Sequence, residues 1–87
     1  MRLKSGFVLK EIAGECVVVS VNSDLDLNKI ITLNSTAKTL WLALEKGVDG
    51  MEELVDALMS EYDVDEARAR SAAEAFVARL KELNFLE

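Results

Sequence analysis

The sequence predicts an α+β fold, a small three-stranded antiparallel sheet followed by three helices. Three observations carry that expectation. Two short runs near the start, Phe7-Val8-Leu9-Lys10-Glu11-Ile12 and Cys16-Val17-Val18-Val19-Ser20-Val21, flank a turn that contains a glycine. From Ala37 onward, apolar residues recur at helical spacing in three successive segments. Between these halves, the stretch from Lys29 to Leu44 changes period at its middle, so that a strand runs into a helix.

The first two runs read as a β-hairpin. Alternation puts Val8, Lys10 and Ile12 on one face and Phe7, Leu9 and Glu11 on the other. Ala13-Gly14-Glu15 supplies a tight three-residue loop. Two strands alone are marginal in water, so a further strand and a helical layer are needed. The segment from Asn22 to Asn28 is polar and turn-rich and reads as a connector. Asp24, Asp26 and Asn28 alternate as the first ligands of a calcium loop do, but the Gly and distal Glu of such a loop are missing. Lys29, Ile30, Ile31, Thr32 and Leu33 form the third strand, rich in β-branched side chains.

Asn34, Ser35 and Thr36 then offer oxygens to the unpaired amides that open a helix. That helix reaches about Lys46, buries Ala37, Leu40, Trp41 and Leu44, and ends on Gly47. The second helix spans Gly50 to Glu61, with Asp49 and Glu52 in a capping-box pattern and Met51, Leu54, Val55, Leu58 and Tyr62 as its apolar face. The third opens at Asp63-Val64-Asp65-Glu66, where either Asp is a suitable cap. Its apolar face is Ala69, Ala72, Ala73, Phe76, Val77, Leu80 and Leu83. Asn84 ends it in a left-handed conformation, and Phe85 and Leu86 fold back as a hydrophobic tail. Residues 1–87 make one domain, and the order of elements is also that of a winged helix-turn-helix.

Composition narrows the function. With 51% hydrophobic residues the chain of 87 residues folds, but it is too short to enclose a deep active site. It contains no His, which removes the usual proton shuttle near neutral pH and any His-ligated metal, and no cofactor is expected. Cys16 has no Cys partner in the chain and reads as a small half-buried hydrophobe in a strand, in keeping with a reducing cytoplasm. No apolar run spans a bilayer and no cleavable signal is recognisable, so a soluble cytoplasmic protein with no membrane partner is expected. The acidic side chains fall mostly on polar helix faces, and neither a nucleophile–base pattern nor a Gly-rich phosphate loop is present, so no enzymatic activity is expected. The net charge of −6 and the scattered Lys and Arg weigh against nucleic acid. A winged-helix DNA-binding regulator is the runner-up reading.

Binding through secondary structure remains. A three-stranded sheet has edges, and an edge accepts an extended peptide as an added strand. If Lys29–Leu33 is that edge and the third helix lies beside it, the Ala-rich helix makes a shallow apolar trough. Arg68, Arg70, Arg79 and Lys81 either hold acidic residues of a peptide or pair with Glu on the same helix. A structural subunit that forms a homodimer through the same edge is a third option.

The stretches GFVLKEIAGECVVV, ITLNSTAKTLW and EELVDALMSEYDVD, and the closing F-V-x-x-L-x-x-x-x-F-L, resemble the PqqD family, also called RiPP recognition elements. The resemblance covers nearly the whole chain. It implies a winged-helix-like fold and a non-catalytic protein. Such a protein binds the leader segment of a ribosomally made precursor peptide and presents it to a modifying enzyme, often a radical SAM protein. It implies that the leader adds to the third strand, at Lys29, Ile30, Ile31, Thr32 and Leu33, and lies against Arg68, Ala72, Ala75, Phe76 and Arg79 of the third helix. Many members carry an acidic residue where this chain has Ala72, so a polar contact made there by relatives is absent.

Overall fold

The computed structural model describes residues 1–20 and 31–87. It contains β1 (Phe7–Ile12), β2 (Glu15–Ser20), β3 (Ile31–Leu33), α1 (Ser35–Lys46), α2 (Met51–Glu61) and α3 (Glu66–Glu82). The fold class is the expected one, a three-stranded antiparallel sheet followed by three helices. The connector from Asn22 to Asn28 lies outside the described residues, as do Val21, Lys29 and Ile30 at the expected strand ends.

The strands are ordered β1-β2-β3. The register sets Leu9 opposite Val18 and Glu11 opposite Cys16, then Val18 opposite Ile31 and Cys16 opposite Leu33. Alternation therefore turns Phe7, Leu9, Cys16, Val18, Ile31 and Leu33 towards the helices. Thr32 faces the other way and is exposed. The hairpin loop is shorter than the expected three residues. Glu15 pairs with Ile12. Only Ala13 and Gly14 remain in the turn, with φ of 53° and 83°. Positive φ at both central residues is what a two-residue type I′ turn requires, and its twist matches that of the strands.

Each helix start has a local cause. Asn34 Oδ1 accepts from the Ala37 amide at 2.8 Å and opens α1, while Gly47 at φ 86° closes it. Asp65 Oδ1 accepts from the Arg68 amide at 2.8 Å and opens α3, so of the two candidate caps Asp65 is used. The expected box of Asp49 and Glu52 is not formed. α2 starts one residue later, with Gly50 as its cap and no side-chain bond there. That start moves the return arm to Glu53, whose Oε2 accepts from the Asp49 amide at 3.3 Å. Asn84 has φ 65°, as expected of a residue ending α3.

The core lies between the sheet and the helices. Leu40, Trp41 and Leu44 of α1 meet Leu54, Val55 and Leu58 of α2 and Ala69, Ala73, Val77 and Leu80 of α3. Phe85 is fully buried and stacks on Phe7 at 4.2 Å between ring centroids. The α3 strip is narrower than expected. Ala72 is exposed and Phe76 and Leu83 are half-buried, because the buried 69-73-77-80 line is the one turned to the other two helices. Ala72 and Phe76 sit on its flank.

Two contacts set the direction of α1. Its first turn lies beside the far end of the hairpin, where Lys38 Nζ donates to Glu11 Oε1 at 3.0 Å. Its end lies beside the opening residues, where the Val48 amide donates to the Met1 carbonyl at 3.2 Å. It therefore crosses the sheet antiparallel to β3.

Candidate functional site

β3 is an edge strand. Among the described residues it pairs only with β2, so its other side carries unpaired backbone groups. An open groove of about 770 Å³ runs along it, walled by the end of β3 and the start of α1 on one side and by α3 on the other. Leu33, Leu40 and Phe76 give it an apolar floor, and Ala72 and Ala75 leave it wide. Gly14, Glu15 and Cys16 of the hairpin close one part of the rim.

Of the residues singled out in the sequence, Thr32, Leu33, Ala72, Ala75, Phe76 and Arg79 line this groove. Ile31 does not; its side chain is 3% exposed and belongs to the core. Arg68 is exposed near the start of α3 and is not on the groove wall. Lys29 and Ile30 lie outside the described residues. Sequence reasoning missed the hairpin rim and the capping segment from Asn34 to Ala37, together with Leu40. The signal for Cys16 was its pairing with Leu33, which becomes visible only once β2 and β3 are placed in register.

The basic residues of α3 divide into two groups. Arg70 is taken up by Glu52 at 2.7 Å and Glu66 at 3.0 Å. Hydrogen bonds to Glu52 and then Glu66 push its pKa up further. Arg68, Arg79 and Lys81 form no ion pair among the described residues, and of these only Arg79 lines the groove. At the hairpin rim, the hydrogen bond from Lys38 holds the Glu11 carboxyl below its ordinary range. The same bond, followed by the charge of a Cys16 thiolate, raises Lys38. The Cys16 thiol lies 3.8 Å from Glu11 Oε1. Cys16 is half-buried, as expected.

Among the described residues, no group of three or more His, Cys, Asp or Glu side chains is placed to hold a metal ion. Among them also, no helix is long and apolar enough to cross a membrane. The groove offers an unpaired peptide edge, an apolar floor and one guanidinium. These are the groups that grip an extended chain through its backbone and select it through its side chains.

Residues 15–86 match the family described as coenzyme PQQ synthesis protein D (PqqD). No curated protein shows a significant match in sequence. Two solved structures share the fold. One, described as TbiB1 in complex with the TbiA(beta) leader peptide, is 26% identical, with a TM-score of 0.77 over 100% of this chain and 95% of that one. The other, described as lasso peptide synthetase B1 complexed with the leader peptide, is 26% identical, with a TM-score of 0.70 over 93% of this chain and 89% of that one.

Proposed function

The chain belongs to the PqqD family, and from that premise we propose that it is a non-catalytic binding module for the leader segment of a ribosomally synthesised precursor peptide. The leader adds as a strand to the free edge of β3, packs against α3, and is presented to a modifying enzyme, a radical SAM protein. The whole chain acts as one peptide-binding domain. The observation that carries this is the groove of about 770 Å³ between an unpaired strand edge and a helix flank bearing Ala72, Ala75, Phe76 and Arg79. The two similar structures, both described as complexes with leader peptides, support the same reading.

The division of labour follows from the geometry. Main-chain hydrogen bonds to β3 are indifferent to sequence and supply affinity. Side chains that enter the trough bury apolar surface and supply selectivity, at roughly 25 cal/mol per Å². Core packing of Ile31 and Leu33 holds the edge rigid before the peptide arrives, which lowers the ordering cost of binding.

The test is a titration of isotope-labelled protein with the leader of the precursor peptide encoded beside it. Chemical-shift changes concentrated at Thr32–Leu33 and along Ala72–Arg79 are expected. Changes spread evenly over the chain, or absent from both segments, would overturn the binding mode.

A further inference from the structure

The groove is polar along its length, and that polarity reads out a pattern in its ligand. α3 runs towards Phe85, which stacks on Phe7. Phe7 pairs with Ser20, and Ile31 pairs with Val18, so this is the end of the sheet where β3 begins. α3 is therefore antiparallel to β3. Arg79 lies towards the start of β3 and Ala72 towards its end. Glu15 follows the hairpin turn, one residue before the Cys16 that faces Leu33, and so marks the end of β3. Among the described residues that line the groove, Arg79 is the one cation on α3 and Glu15 is the one acid, and they stand at opposite ends.

Spacing sharpens this. From the middle of the Ala72–Phe76 trough to Arg79 is five residues of helix, about 7–8 Å at 1.5 Å per residue. Two residues of strand cover about 6.7 Å, and side chains two apart point the same way. An apolar side chain seated in the trough thus puts the side chain two positions along at the guanidinium. An antiparallel strand continues the existing sheet and is the better-bonded choice. It runs from the Glu15 end to the Arg79 end.

Resting on the reading of this groove as a peptide site, we infer that it selects an extended segment in which a bulky apolar residue is followed, two positions towards the C-terminus, by Asp or Glu. The reverse order carries the acid away from Arg79, to an end of the groove whose described lining holds no cation. The occupant is an acidic–apolar peptide strand. Neither an apolar strand with a basic residue at that position nor a strand lacking charge satisfies Arg79.

Three capped synthetic peptides on a Thr/Ser background test this: TSTLTETST, its reversed pair TSTETLTST, and TSTLTKTST. Each is titrated against labelled protein and against Arg79→Glu. TSTLTETST is expected to bind about fivefold more tightly than TSTLTKTST, the size of one partly exposed ion pair. Arg79→Glu, an exposed substitution that leaves the spectrum of the core intact, inverts that order. A nitroxide on the peptide N-terminus broadens the Gly14 and Glu15 amides ahead of that of Arg79. Groove shifts of equal affinity for all three peptides, or broadening at Arg79 first, overturn the pattern and leave the peptide groove standing. No groove shift from any of them overturns both.

Discussion

Ala13 carries the clearest residue-scale cost in the described chain. It holds φ 53° in the turn beside Gly14, which holds 83°. An L-residue with a Cβ gives up about 1 kcal/mol or more in that region, whereas Asn tolerates it through its short polar side chain. Asn-Gly is the preferred pair for a type I′ turn. Ala13→Asn is therefore expected to stabilise the fold by roughly 0.5–1 kcal/mol, a few degrees in Tm for a domain of about this size. A thermal melt checks it, and an unchanged or lowered Tm would mean that the turn holds no such strain. The pair of aromatic residues Phe76 and Phe85 shows the other residue-scale distinction. Both are Phe near the end of the chain, yet Phe85 is fully buried while Phe76 is half-buried and lines the groove.

At the scale of elements, the site is a gap between one strand edge and one helix flank, and the flank is made of alanines. Ala75 is exposed and lines the groove, while Ala78, three residues on, is exposed and does not. Ala75→Trp should fill the trough and weaken leader binding at least about tenfold, equivalent to 1.4 kcal/mol. Stability should change by no more than about 0.5–1 kcal/mol, since an exposed helix position is altered. Ala78→Trp should match it in stability and leave affinity intact. Equal loss of affinity in both variants, by calorimetric titration, would place the peptide elsewhere. Ile31→Pro is a poor alternative probe, because Ile31 is core as well as edge. The elements themselves were legible because their signals are local. Asn34 caps with its own side chain, and Gly47 and Asn84 end helices through their own φ. What was not legible depends on distant partners. The two-residue hairpin follows from Ile12 meeting Glu15 across the sheet. The narrow face of α3 follows from which helix packs on it. Cys16 joins the groove rim only through its register with Leu33.

At the scale of the whole molecule, Phe85 is the residue through which the layers are joined. Its ring stacks on Phe7 of β1 at 4.2 Å and meets Trp41 of α1 edge-on at 6.2 Å. Its amide donates to the Leu80 carbonyl of α3 at 2.9 Å, and its carbonyl accepts from the Lys4 amide at 2.9 Å. Beyond it, the Glu87 amide donates to the Arg2 carbonyl at 3.0 Å, so residues on either side of the domain are clasped together. Removing the ring leaves a cavity bordered by sheet, α1 and α3, at a cost of about 3–5 kcal/mol. Small domains have about 5–15 kcal/mol in all, so Phe85→Ala should lower Tm by at least about 12 °C. Phe76→Ala removes the same ring from a half-exposed position, so it should cost much less stability and more affinity. Chemical denaturation of both variants, paired with leader titration below their melting points, separates the two roles. If Phe85→Ala loses less than about 1 kcal/mol, the clasp does not hold the layers together. If Phe76→Ala proves the more destabilising, the half-exposed ring is core rather than groove floor, and the flank of α3 must be reassigned.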